Sequence, residues 1–125
     1  MPMTPRQKEI LSKYRHQLKT VFADGVTKMS EPGHARTWFV TYLRAVLATY
    51  IDSRTRTVNG KRLSSVLSKN PRRAIQKLIK NTSNRDRKTR SRWAVALDAA
   101  YNADVQPDQL ERWFRDGGGV SGRVR

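Results

Sequence analysis

The chain predicts an all-α fold, a compact bundle of about six helices containing a helix–turn–helix-like unit. Three observations carry this. Apolar residues recur at spacings of three and four through successive windows, strand-like alternation is absent, and cap or turn residues bound each helical window. With 125 residues and 37% hydrophobic content, the chain is long enough for one domain with a real core. The expected organisation is a single helical domain over residues 1–116, followed by a flexible Gly/Arg tail over 117–125. Within the domain, residues 1–57 read as a helical hairpin, 58–92 as a basic region and 93–116 as packing helices.

From Thr4 to Ala23, the residues Ile10, Leu11, Tyr14, Leu18, Val21 and Phe22 share one helical stripe. Thr4 suits the cap and Pro5 the first turn. Asp24 to Gly33, with Gly25, Pro32 and Gly33, reads as a connection, and Ser30 as the next cap. The second helix, from Glu31 or Ala35 through Arg54, carries Phe39, Leu43, Val46, Leu47 and Tyr50 on one face. Trp38, Tyr42 and Ala45 widen that face on one flank, Val40 and Ile51 on the other. The arc exceeds what one partner helix needs, so the helix is either central in the core or also donates a homodimer surface at Trp38 and Tyr42.

Asn59-Gly60 signals a turn, and Lys61 to Lys69 a short helix with Leu63, Val66 and Leu67 inward. Asn70-Pro71 caps and starts a helix running to Asn81. Ser83 and Asp86 are spaced as a capping box for a longer helix reaching Ala103, whose inner face is Trp93, Ala96, Leu97, Ala100 and Tyr101. After Asp104-Val105-Gln106-Pro107, a short helix carries Leu110, Trp113 and Phe114, and Gly117-Gly118-Gly119 ends it.

Charge is concentrated in one third of this chain. Lys61 to Arg92 holds twelve Lys/Arg and one acid, Asp86, contributing +11 to a formal net charge of +16. Residues 1–60 hold ten basic against four acidic residues, and residues 93–125 four against five. Such a block is often a solvated face or a disordered tail. Here Leu63, Val66, Leu67, Ile75, Leu78, Ile79 and the adjoining Trp93 recur at helical spacing, so the segment reads as folded and basic together. A polyanion rewards clustered cations through counterion release.

Other chemistries find little support. The chain has no cysteine, which removes disulfides, thiolate metal sites and cysteine nucleophiles. His16 and His34 lie in separate segments without metal-ligand spacing, the carboxylates show no catalytic pairing, and the glycine triplet lacks the Lys-Ser/Thr of a phosphate loop. A non-enzymatic protein with no metal or cofactor is expected. No run approaches a membrane span, and the first residues lack the apolar core of a signal peptide. The expected location is cytoplasmic, on the nucleoid if the source is bacterial.

In the helix from Pro71, a turn of 100° per residue puts Ala74, Ile75, Leu78 and Ile79 on one side. Arg73, Lys77 and Lys80 line the other, with Gln76 beside them and Arg72 at the edge. Arg and Lys suit guanine O6/N7 and Gln suits adenine, so this helix, with Lys61, Arg62 and the short helix before it, fits a helix–turn–helix reading duplex DNA. A second match runs from Ala100 to Trp113, but Asp104 replaces the commonly expected Gly and Asp108, Glu111 and Asp116 would oppose phosphates. It reads as a packing unit or a protein–protein surface.

Arg85, Arg87, Lys88, Arg90 and Arg92 crowd the start of the following helix against its positive dipole end, which phosphates would relieve. Arg85, Lys88 and Arg92 are expected along one edge, with Thr89 and Ser91 as neutral donors. The functional expectation is a small DNA-binding transcriptional regulator or accessory factor. The alternatives are a protein that grips an RNA backbone within a ribonucleoprotein, and an adaptor for an acidic protein.

Overall fold

The computed structural model describes residues 2–29 and 38–124. The Ser30 cap, the two candidate starts at Glu31 and Ala35, and His34 lie outside the described residues, as does the side chain of Trp38. Helix α1 spans Pro5–Met29. Its start is a reciprocal capping box. The Gln7 N–H donates to Thr4 Oγ1 at 3.2 Å, and the Thr4 N–H to Gln7 Oε1 at 3.0 Å. The helix does not stop at Asp24-Gly25, as the sequence suggests. An interior glycine costs only about 1 kcal/mol relative to alanine. Gly25 is buried in this helix, and Phe22 one turn earlier meets Tyr42 edge-on, with ring centroids 5.1 Å apart.

Helix α2, Trp38–Thr55, is the central element. It packs on α1 and on most of the later elements of the bundle described below. Tyr42, Leu43, Val46, Leu47 and Tyr50 are at most 1% exposed. The centre of the apolar arc is therefore consumed within one chain, while Phe39, Val40, Ala45 and Ile51 on its flanks are half-buried. Tyr42 is corrected from a dimer contact to a core residue. Thr82 Oγ1 donates to the Leu78 carbonyl at 2.6 Å, so it receives the Tyr42 hydroxyl, 2.5 Å away. Burial pushes the Tyr42 phenol up to about 12. On the other side of the helix, the Tyr14 hydroxyl donates to the Asp52 carboxylate, tying α1 to α2.

A two-residue hairpin follows, where the sequence shows no strand pattern. Strand β1, Thr57–Val58, pairs antiparallel with β2, Lys61–Arg62. Asn59 and Gly60 have φ of 54° and 80°, as a type I′ turn requires, and Asn-Gly is its preferred pair. Pairing removes Lys61 and Arg62 from the expected helix, so α3 is only Leu63–Leu67. The hairpin is anchored to α1. Buried Gln7 donates through Nε2 to the Val58 carbonyl at 2.9 Å, and Thr4 Oγ1 donates to Asn59 Oδ1 at 2.8 Å.

Helix α4, Pro71–Thr82, begins at Asn70, whose Oδ1 accepts the Arg73 N–H at 3.2 Å. Ala74, Ile75, Leu78 and Ile79 are at most 1% exposed. Helix α5, Arg87–Asn102, packs along α4. Its cap is Asp86, not Ser83: Asp86 Oδ1 accepts the Thr89 N–H at 3.1 Å. Ser83 instead closes α4, its N–H donating to the Ile79 carbonyl at 2.9 Å. A 3-10 turn at Pro107–Gln109 leads into α6, Leu110–Asp116.

The segment expected as a flexible tail contains a further helix, α7, Gly119–Val124, which packs against α5. Val120 sits on the edge of the core. A Cβ added to Gly122 would lie 1.9 Å from the Gly117 carbonyl oxygen. Only glycine permits that approach, so residues that look like a disordered tail by composition form a tight fold-back.

Candidate nucleic-acid interface

The basic segment differs from the rest of the surface in how its charges are matched. Outside it, pairing with acids at helical spacing is frequent but incomplete. Arg6 and Lys13 flank Glu9 at 3.2 and 3.5 Å and Arg115 lies 3.6 Å from Glu111, whereas Lys8, Arg15, Lys19, Arg44 and Arg54 form no ion pair among the described residues. Inside it, Arg72 pairs with Asp98 of α5 at 3.4 Å. Lys77 turns back, its Nζ donating to the Leu67 carbonyl at 2.5 Å and satisfying the end of α3. Both are thereby drawn from the outward stripe expected of them. Asp86 is occupied by its cap, and the Thr89 hydrogen bonds hold its carboxyl below the ordinary 3.8. Among the described residues, Lys61, Arg62, Lys69, Arg73, Lys80, Arg87, Lys88, Arg90 and Arg92 form no ion pair.

Four of the expected contact residues converge. Gln76 and Lys80, one turn apart on α4, face Arg87, Arg90 and Ser91 of α5 across a cleft of about 440 Å³. The helices are placed there by the buried stripe of α4 and by Trp93, Ala94 and Leu97 of α5, all at most 6% exposed. Among the described residues, no carboxylate lines the cleft. Lys80 and Arg87 are exposed, whereas Gln76 and Arg90 are half-buried. The Nε of Arg90 is fully buried with no hydrogen-bond acceptor in reach among the described residues. Arg15 Nε of α1 is in the same state away from the cleft. An ionised donor left so is costly, and at Arg90 a turn of the side chain toward an anion in the cleft would satisfy it.

The remaining expected residues do not join this group. Lys88 and Arg92, four apart, share the α5 edge turned away from the cleft. Arg85 is corrected: it precedes the Asp86 cap and is not on the helix, and its guanidinium lies 6.0 Å from the Phe22 ring centroid. Lys61 and Arg62 project from β2, where Lys61 borders a separate pocket with Gln7, Asn59 and Val66. Ser91 becomes part of the cleft wall; the sequence marked it only as a neutral donor, because the facing of α4 and α5 is invisible in either helix alone.

The second helix–turn–helix-like run packs its apolar residues into the core. Asp104, at φ 57°, occupies the left-handed position that ends α5. The Val105 and Asp104 N–H groups donate back to the Ala100 and Tyr101 carbonyls at 3.0 and 3.2 Å, a Schellman closure with Asp in the glycine position. Ala100, Val105, Leu110 and Phe114 are buried. Its two outward arginines face acids on the same helix, Arg112 with Asp116 at 4.0 Å and Arg115 with Glu111.

Among the described residues no helix is long and apolar enough to cross a membrane, and no group of three or more acids and histidines gathers as metal ligands. Comparison with known proteins finds no matching family model, no similar curated protein and no similar solved structure.

Proposed function

We propose that this protein binds nucleic acid through the cationic face of α4 and α5, as a small regulator or accessory factor of the helix–turn–helix type acting on duplex DNA. The observation that carries the reading is the carboxylate-free cleft between the two helices, flanked by arginines and lysines that have no acidic partner. A surface optimised for folding alone would match more of those charges, as α6 does for both of its arginines. Phosphates would supply the match, and each one neutralised releases counterions.

Duplex DNA is favoured over single-stranded RNA by what the face lacks. Sequence-specific readers of single strands stack bases on exposed aromatic rings. The basic segment contains no aromatic, and Trp93 immediately after it is 6% exposed and packed beside Phe39 and Tyr42. Helix α4, with α3 and the connection at Ser68–Asn70 ahead of it, is the element proposed to approach the major groove, led by Arg73.

The test is a mobility-shift comparison of random duplex DNA, single-stranded DNA and structured RNA at about 150 mM salt, a concentration at which weak electrostatic binding is already strongly reduced. Retention of duplex alone supports the reading. Preferential retention of structured RNA would move the function to a ribonucleoprotein backbone, and retention of none would leave an acidic protein as the partner.

A further inference from the structure

Gln76 sits where the outward stripe of α4 suggests a residue that reads a base. The fold places it differently. It is half-buried in the wall of the α4–α5 cleft, one turn from Lys80 and across from Arg87, Arg90 and Ser91. A base-reading glutamine must reach into a groove with its amide free to form two bonds to adenine. This one shares its space with three cations and a hydroxyl. Among the described residues, every polar side chain in the cleft wall offers a donor and none is an acid.

The half-buried guanidinium adds an independent constraint. Arg90 Nε is buried without an acceptor, although neighbouring exposed cations could be satisfied by water. A turn of the Arg90 side chain would bring Nε and a terminal nitrogen together onto a tetrahedral oxyanion in the cleft, the side-on arrangement that arginine makes with phosphate. The cleft volume, about 440 Å³, far exceeds the ~30 Å³ share of one liquid water. It leaves room for a phosphate and the sugar carbons on either side of it.

From these observations we infer that the α4–α5 cleft seats one phosphodiester of the nucleic-acid backbone, with Arg90, Arg87 and Lys80 supplying charge and Gln76 and Ser91 neutral hydrogen bonds. Gln76 is then a backbone ligand that fixes the register of α4 without reading sequence. The inference rests on the nucleic-acid reading above. The same chemistry would also accept free phosphate, so the source has to be separated by experiment.

Salt titrations of duplex binding by fluorescence anisotropy, on the full chain, provide the first arm. Gln76→Ala should weaken all duplexes by one common factor, about tenfold for loss of a hydrogen bond to a charged group, with an unchanged log K against log salt slope. Gln76→Glu should lose more and lower the slope magnitude by about 1, because a carboxylate then repels the phosphate and cancels a cation. The exposed Gln17→Ala on α1 should match the unmodified protein. A Gln76→Ala variant that loses discrimination at one base pair, while binding other duplexes normally, would overturn the assignment.

The second arm follows the Arg90 Nε–Hε resonance. It should shift on saturation with duplex DNA, and inorganic phosphate should compete for the same shift only weakly. An unmoved resonance in saturated duplex would overturn the seat while leaving nucleic-acid binding intact. If the protein retains no nucleic acid but the resonance responds to inorganic phosphate alone, the nucleic-acid reading fails, and the cleft belongs to a free phosphate instead of a diester.

Discussion

Two units of this molecule share a plan, a helix, a tight turn and a second helix, and differ in what they do with charge. In α3–α4, the connection at Ser68–Asn70 leads into a helix whose outward cations mostly lack acidic partners. In α5–α6, the turn closes on Asp104, and although the start of α5 carries the cleft cations, the two outward arginines of the second helix, α6, are matched within it by Glu111 and Asp116. Burial is equally deep in both: Ile75 and Ile79 in one and Leu110 in the other have no exposed surface. Packing therefore does not distinguish a reading head from a structural unit. The distinction lies in whether the exposed charge is already satisfied, because an internally paired cation has less to gain from a phosphate than an unpaired one.

The largest expected effect tests that contrast directly. Arg87→Glu with Arg90→Glu should lower duplex affinity by about 100-fold or more, since two phosphate contacts become repulsions. Arg112→Glu with Arg115→Glu should change it by less than about threefold through the general field alone. Equal losses in competition binding would mean that affinity follows net charge and that the α4–α5 face has no special role.

A finer comparison uses single neutral substitutions. Lys88→Ala and Arg92→Ala, on the outer edge of α5, should each reduce the magnitude of the salt slope by about 1 if that edge meets the backbone. Arg72→Ala should have a smaller effect, because Asp98 already holds this side chain at 3.4 Å. Identical slopes for Arg72→Ala and Lys88→Ala would show that the Asp98 pair opens on binding.

The caps of the two basic helices offer a stability test. Asn70→Ala should cost about 1 kcal/mol in urea unfolding, the usual worth of such a cap. Asp86 adds a pH dependence. Its hydrogen bonds lower the folded pKa beneath the ordinary 3.8. Its contribution is therefore complete above that value and is lost as pH falls through the lower folded one. Asp86→Asn keeps a capping oxygen and should remove this acid-side dependence. An unchanged acid unfolding profile would argue that other carboxylates dominate there.

The smallest effect concerns the turn of the second unit. Asp104 takes a left-handed backbone that disfavours residues with a Cβ, although Asp tolerates it better than most. Asp104→Gly should stabilise the fold by about 0.5–1 kcal/mol and leave nucleic-acid affinity unaltered. Destabilisation on thermal melting would mean that the Asp104 side chain contributes more than the backbone strain removes.

The sequence by itself determined the helical class, the stripes that form the core and the location of the excess charge. Each follows from local chemistry: Ala74, Ile75, Leu78 and Ile79 share a face because of helical periodicity, and Asn70 caps because its side chain reaches the Arg73 N–H. The hairpin was only half legible. Asn59-Gly60 announced a turn, but strands of two residues are too short to show alternation.

Only the tertiary structure decided the place of Tyr42, which lies at the meeting of α1, α4 and α5 and has no surface left for a dimer. It also decided that α1 runs through Gly25 and that the glycine-rich end folds back, both set by packing that a local propensity cannot register. The candidate site divides along the same line. Its charge was legible, but which cations stand together was not. Arg87, Arg90 and Ser91 meet Gln76 and Lys80 because the buried stripes of two helices fix their mutual rotation, while Arg72 and Lys77 are diverted by partners distant in sequence. Periodicity places a residue on one helix, and the rotation between two helices exists only once their cores have packed.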